Sequence, residues 1–302
     1  MYDIIGDIHG YATELKALLS KLGYEKINAA YQHPAGRKAV FVGDFIDRGP
    51  QIPETLAIVK AMCDQGHAFA VMGNHEYNAI CFHTPHVEKG GFFRSHSWKE
   101  IKQHLQTLEQ FYGREAEWDM YLEWFRTLPL FLEFVHFKVV HAYWHEANIQ
   151  WIKEHYTVMD SDFLSKCCNK DDASGAFQII EDTLKGIETR LPEGFTNQDK
   201  EGHQRPDCRV KWWMPLSSRA TLNDILIPCP DALKFNPIPS DKHFPCYQGT
   251  KPVFFGHYAL KYDPILENPM AICTDYNITH RGQLTACRIQ LSDHGITMEF
   301  VV

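Results

Sequence analysis

The sequence predicts an α/β fold built on a parallel sheet, and three observations near its start carry that prediction. Short apolar runs alternate with stretches of helical periodicity, giving strand, helix, strand, helix, strand by Met72. Strands joined through helices pair in parallel with right-handed crossovers. Each strand is followed at once by a polar, glycine-bearing loop, at residues 6–10, 43–49 and 73–76. In open parallel sheets functional groups collect at the carboxyl ends of the strands, where all three loops fall.

Taken in order, Tyr2–Ile5 is a short strand and Gly6-Asp7-Ile8-His9-Gly10 the loop leaving it. Leu15, Leu18, Leu19 and Leu22 recur at helical spacing until Gly23 stops the helix. A polar loop of about ten residues leads to Val40-Phe41-Val42-Gly43-Asp44, read as a buried strand delivering Asp44 at its end. Asp47, Arg48 and Gly49-Pro50 follow; alone, they fit either a capped turn with an ion pair or a metal and phosphate site. Ile52, Leu56, Val59 and Met62 mark a second helix opened by Pro53, and residues 67–72 a third strand.

From Tyr77 the pattern is helical and aromatic. Trp98, Ile101, Leu105 and Leu108 form one stripe and Trp118, Tyr121, Leu122 and Phe125 another, both expected in the core. Residues 130–134 and 137–140 read as a hairpin closing on His141. Between 146 and 250 the chain is irregular, with helical stretches at 161–166 and 176–189 and a proline-rich region at 228–252. Sheet-like sequence then resumes, so this segment is expected to be an excursion from a single domain spanning 1–302. Residues 252–255 lead into Gly256-His257-Tyr258, residues 270–274 form a strand, and a last hairpin turns across Ser292-Asp293-His294-Gly295.

Composition narrows the function. A formal charge of -8 argues against a general nucleic-acid-binding surface. It leaves room for an anionic substrate, since bound cations reverse the local field. Nine cysteines, odd in number and without a C-x-x-C, fit neither a zinc framework nor a disulfide scaffold, and are expected to be reduced. Met1-Tyr2-Asp3 opens no basic, apolar leader, and no window reaches the roughly 18 apolar residues of a membrane span. A soluble, cytoplasmic protein without a membrane partner is expected.

Seventeen histidines direct attention to metal ligands. Asp7, His9, Asp44, Asp47, Arg48, Asn74, His75, His141 and His257 all follow strands. Carboxylate, imidazole and carboxamide donors suit Mn²⁺, Fe or Zn²⁺ better than Ca²⁺. Two sites can be filled if Asp44 bridges: Asp7, His9 and Asp44 on one ion, and Asp44, Asn74, His141 and His257 on the other. A bridging carboxylate holds two ions about 3.5–4 Å apart, a separation suited to in-line attack at phosphorus.

Gly6-Asp7-Ile8-His9-Gly10, Gly43-Asp44-Phe45-Ile46-Asp47-Arg48-Gly49 and Gly73-Asn74-His75-Glu76 resemble the three signature blocks of the calcineurin-like metallophosphoesterases. More narrowly they resemble the phosphoprotein phosphatase branch, which includes the Ser/Thr phosphatases and the symmetrical diadenosine tetraphosphatases. Val-Val-His141-Ala-Tyr and Gly256-His257-Tyr258 match the later blocks less closely, while Gly282-Gln283-Leu284-Thr285-Ala286 resembles the branch's final strands. The middle of the chain is not covered.

The resemblance implies a four-layer α-β-β-α fold, a two-sheet sandwich flanked by helices with a dinuclear site at the strand carboxyl ends. It implies two divalent ions, Mn²⁺ first with Fe or Zn²⁺ as alternatives, and a hydroxide bridging them as nucleophile. Arg48 would hold the phosphoryl oxygens and His75, held by Asp47, would protonate the leaving oxygen. One of Arg209, Lys211 and Arg219 would be a second phosphate cation, or else these are solvated charges beside the aromatic segment Trp212-Trp213. Tyr143 and Tyr258 either line the pocket or pack.

Three functions follow as alternatives. The first is metal-dependent hydrolysis of a phosphoester or phosphoanhydride in a small nucleotide such as a dinucleoside polyphosphate. The second is a Ser/Thr or Tyr phosphoprotein phosphatase with an open groove. The third is a non-catalytic scaffold using residues 146–250 to bind a partner, against which the intact Asp47, Arg48 and His75 speak.

Overall fold

The computed structural model of the chain describes residues 1–198, 204–240, 242–280, 282–292 and 295–302. The first part runs β1 (Tyr2–Ile5), α1 (Ala12–Lys21), β2 (Lys38–Phe41), α2 (Ile52–Asp64), β3 (Ala68–Ala70) and α3 (Asn74–His83). After α4 (Trp98–Phe111) and α5 (Glu115–Arg126) come β4 (Phe131–Glu133), β5 (Lys138–Val140), α6 (Glu146–His155), α7 (Ser161–Cys167) and α8 (Ala176–Lys185). A small sheet of β6 (Glu188–Arg190), β7 (Asp207–Val210) and β8 (Leu226–Ile227) precedes β9 (Val253–Phe255), β10 (Ala271–Cys273), β11 (Ala286–Ser292) and β12 (Gly295–Val301).

Two sheets make the frame. In the first, ordered β12-β11-β1-β2-β3, the strands β1, β2 and β3 are parallel as the alternation predicts, and β11 closes antiparallel on β1. In the second, ordered β10-β9-β5-β4, the first three are parallel and β4 is antiparallel to β5. Ile4, Val40 and Val71 of the first sheet meet Phe137, Val139, Phe254 and Ile272 of the second in a dry layer between them. Strands covered on both faces carry continuous apolar runs rather than alternation, which is how β9 reads. The outer face of the first sheet, with Ile5 and Phe41, lies under Leu15 of α1, Leu56 of α2, Ile80 of α3 and Phe125 of α5. Each such large apolar side chain contributes about 1.5–3 kcal/mol by leaving water. The outer face of the second sheet, with Val140, Val253 and Phe255, is covered chiefly by aromatic loop residues, Trp212, Trp213 and Tyr258, together with Ile149 of α6.

Several elements differ from expectation. The supposed polar loop before β2 holds a hairpin, Glu25–Ile27 with Ala30–Gln32, turning through Asn28 at φ 56°. The run at 40–44 ends as a strand at Phe41, because Gly43 takes φ 101° and swings the chain outward. α8 stops at Lys185 rather than 189 because Gly186 takes φ 73°, and Thr189 sits in β6. α6 is a full helix in a stretch read as irregular. The α4 stripe is misplaced: Trp98 is 73% exposed, whereas His104, Thr107 and Phe111 are buried. Two of those three are polar, and the reason lies in the site. The last hairpin forms as expected, pairing Ser292 with Gly295, while Asp293 and His294 lie outside the described residues. Among the described residues no helix is long and apolar enough to cross a membrane.

Candidate metal centre

The carboxyl ends of β1, β2, β3, β5 and β9 converge, and the two sheets contribute together. Asp7 and His9 follow β1, Asp44 and Asp47 follow β2, Asn74 and His75 open α3 after β3, His141 follows β5 and His257 follows β9. The turns that bring them together are tight. A Cβ on Gly43 would lie 2.5 Å from the backbone nitrogen of Gly73, so these two loops touch main chain to main chain.

Asp44 is the hub. Its Oδ1 is 3.4 Å from His141 Nε2; its Oδ2 is 3.6 Å from His9 Nε2 and 3.9 Å from His75 Nε2. Two trios result, His9–Asp44–His75 and Asp44–His141–His257, with ligand atoms in each within 4.8 Å of one another. Asn74 Oδ1 joins the second trio, 3.0 Å from His141 Nε2 and 2.8 Å from His257 Nδ1. Asp7 lies outside both trios, and His75 joins His9 and Asp44 in the first. Asp7 Oδ2 accepts the backbone N–H of His257 at 3.0 Å, and its Oδ1 is buried without a partner.

The backbone here is held in an uncommon conformation. His9, Asp44, Asp47 and His257 have φ of 50°, 55°, 78° and 71°. A non-glycine residue in such a position costs on the order of 1–3 kcal/mol and persists where its surroundings over-determine it. Here the backbone N–H groups of Ile8 and His9 both donate to the Asp44 carbonyl, at 3.1 and 2.8 Å. Glu76, fully buried, accepts the backbone N–H groups of Asp44, Phe45 and Gly73 at 2.8, 2.8 and 3.0 Å.

Imidazole orientation follows from the same scaffold. The backbone carbonyls of Ile46 and Val42 face Nδ1 of His9 and His141 at 2.8 and 2.7 Å. A carbonyl only accepts, so each Nδ1 carries a proton and each ring is turned with Nε2 towards Asp44. His257 Nε2 is buried with no partner. Burial, then the charge of His75, pushes His9 down to about 3, which keeps it a neutral donor of electrons. Burial would raise Asp44, but His141, His75 and His9 outweigh it and lower the carboxyl to about 2. Asp7 is raised by burial and by Asp275 and Asp44. Glu76 is pushed up to about 8 by burial and Asp44, against its three backbone donors. Imidazole nitrogens and carboxylate oxygens thus converge on one centre, with room in the chemistry for a cation between them. The donor set fits divalent metal ions.

Asp47 is held from both sides. Its Oδ2 lies 2.7 Å from His75 Nδ1, and its Oδ1 lies 2.6 Å from both His104 Nδ1 and Thr107 Oγ1. Burial opposes ionisation, yet His104 first and His75 next hold the carboxyl well below the usual range. Sequence reasoning missed His104 and Thr107; their only signal is a polar pair three apart on the inward face of α4. Glu76 stood in the third loop motif without a role.

The remaining candidates divide. Arg48 is half-buried, its charge acts on His9, and its Nε is buried without a partner. Arg209 reaches the centre's edge, donating to the His257 carbonyl at 3.2 Å. Lys211 does not: its Nζ donates to the Asn223 carbonyl at 3.3 Å. β7 ends at Val210, so the alternation that would set Lys211 beside Arg209 stops there. Arg219 is exposed. Tyr143 and Tyr258 are buried packing residues, Tyr143 edge-on to Trp212 at 5.2 Å and Tyr258 edge-on to Trp213 at 4.6 Å and to His257 at 5.6 Å.

Comparison with known proteins bears on this geometry. The family described as calcineurin-like phosphoesterase matches residues 2–214. The asymmetrical bis(5'-nucleosyl)-tetraphosphatase PrpE of Halalkalibacterium halodurans is 49% identical over 74 residues, 24% of this chain and 30% of that protein. PrpE of Bacillus subtilis is 46% identical over 74 residues, again 24% of this chain and 30% of that protein. The chain therefore matches less than a third of the length of these curated relatives. Among solved structures, the cold-active protein-tyrosine phosphatase of a psychrophilic Shewanella aligns over 98% of this chain and 79% of that chain. Its identity is 13% and its TM-score 0.49, too loose a superposition to carry an argument.

Proposed function

This chain belongs to the calcineurin-like phosphoesterase family, and we propose that it hydrolyses a phosphoanhydride bond of a dinucleoside polyphosphate with two divalent cations, Mn²⁺ foremost, held around Asp44. The observation that carries this reading is the pair of ligand trios sharing the Asp44 carboxylate. His9 and Asp44, with the partnerless Asp7 Oδ1, would hold one ion; Asp44, Asn74, His141 and His257 would hold the other. Bound there, such ions lower the pKa of water and offset the charge of phosphoryl oxygens.

The chain's own groups do the rest. Arg48, with a buried Nε that engages no acceptor among the described residues, would bind a phosphoryl oxygen. His75, its Nδ1 held by Asp47, would give the proton on Nε2 to the leaving oxygen. Arg209 is the better second phosphate cation, since Lys211 is engaged elsewhere. The nucleotide substrate is supported by the similarity of the first loops to proteins named as tetraphosphatases. Residues 146–250 read as part of the same domain, because Trp212 and Trp213 pack in one cluster with Phe255 of β9. Nine free cysteines support a reducing, cytoplasmic setting.

The test is to assay the purified protein with Mn²⁺ against diadenosine tetraphosphate and a phosphopeptide. Turnover of the dinucleotide supports the proposal, and the products, two ADP or ATP with AMP, reveal which anhydride is attacked. Turnover of the phosphopeptide alone would replace it with the phosphoprotein phosphatase reading. An inert protein under Mn²⁺, Fe²⁺ and Zn²⁺ would return the scaffold reading.

A further inference from the structure

We infer that His104 and Thr107 of α4 are positioning residues for the proton-donating step: together they lock the Asp47 carboxylate, and through it the orientation of His75. The inference rests on the phosphohydrolase reading above. What prompts it is the way α4 faces. Ile101, Leu105 and Leu108 are only half-buried, and Trp98 lies in solvent, while His104 and Thr107 are 5% and 1% exposed. An amphipathic helix that turns polar groups inward gives up apolar burial, and buried polar groups are tolerated only when they find partners. Their partner is one oxygen of Asp47, at 2.6 Å from each.

Donor counting orders the network. An ionised carboxylate only accepts, so Thr107 Oγ1–H and His104 Nδ1–H donate to Oδ1, and His75 Nδ1–H donates to Oδ2. On the far side, Trp118 Nε1 can only donate, and it lies 3.2 Å from His83 Nε2. Burial, then the charges of His104 and His96, push His83 down to about 4, so it is neutral and accepts at Nε2. His104 Nε2 lies 3.2 Å from the same atom, so α4 is tied to α3 and α5 as well as to Asp47. One consequence follows for His75. A carboxylate with two donors on one oxygen cannot rotate, so its other oxygen fixes the His75 ring with Nε2 towards Asp44.

General-acid assistance matters most when the leaving group is basic. The decisive comparison is thus p-nitrophenyl phosphate, whose phenolate leaves unaided, against phenyl phosphate, whose phenolate needs a proton. With Mn²⁺, Thr107→Val is expected to lower kcat about tenfold on phenyl phosphate and no more than about twofold on p-nitrophenyl phosphate. Thr107→Ser should restore the loss, and His104→Asn, which keeps one donor near Asp47, should show the same leaving-group bias. A second readout needs no turnover: in protein labelled with ¹⁵N-histidine, Thr107→Val should shift the downfield Nδ1–H resonance of His75. Equal losses on both substrates, or no loss, would overturn the inference while leaving the phosphohydrolase reading intact. If the wild type hydrolyses neither aryl phosphate nor dinucleotide, that reading fails, and an unmoved His75 resonance then overturns the positioning role as well.

Discussion

Asp44 combines three demands: a φ of 55°, two carboxylate oxygens facing different histidines, and a backbone N–H engaged by Glu76. Asp44→Asn preserves shape but removes the charge that draws cations to both trios. Its phosphohydrolase kcat is expected to fall on the order of a hundredfold or more, read with saturating Mn²⁺; a variant within a few-fold of wild type would sink the bridging role. At this scale the convergence of polar groups was legible, because Asp7, His9, Asp44, Asn74, His141 and His257 all stand just beyond apolar runs. His104 and Thr107 were not legible. Their partner is 57 and 60 positions away, and the apolar stripe of α4 directed attention to the wrong face.

Elements are joined by groups whose partners lie on other elements. At the opposite end of the first sheet, fully buried Asp3 of β1 takes Arg37 Nη2 and Nε at 2.9 and 3.0 Å, Arg288 Nε of β11 at 3.0 Å and Tyr24 Oη at 3.0 Å. Asp3→Ala leaves Arg37 buried and uncompensated, which costs about 3–5 kcal/mol; urea unfolding should show the midpoint falling with an unchanged slope. A second junction joins α3 to the end of α7, where Cys168 Sγ lies 3.6 Å from Cys81 Sγ and 3.4 Å from Tyr77 Oη. The hydrogen bond from Cys81, helped by Tyr77 and opposed by burial, lowers the Cys168 thiol to about 7. Thiolate is the reactive form, so alkylation of Cys168 should rise through pH 7, while Cys81 and Cys273, raised by burial, stay slow. Peptide mass spectrometry after iodoacetamide pulses checks this; a midpoint above pH 8 would refute it.

Across the whole molecule the site is a seam. Asp7, Asp44 and Asn74 come from the first sheet and His141 and His257 from the second, so ions bound there tie the sheets together. Mn²⁺ at about a hundredfold its Kd adds about 2.7 kcal/mol to stability, which raises Tm by roughly 5 °C. Chelation should reverse the gain and Asp44→Asn should blunt it; identical melting with and without metal would defeat the dinuclear proposal.

The order of strands and helices in the first third of the chain, and the residues that leave each strand, were readable because they depend on neighbours a few positions apart. Periodicity and loop motifs record such local relations directly. Which surfaces meet depends on packing between residues scores of positions apart, and apolar burial is not directional, so no local pattern encodes it. That is why folding was needed to set His75 beside His9 and Asp44, to turn Lys211 away, and to bring α4 over Asp47.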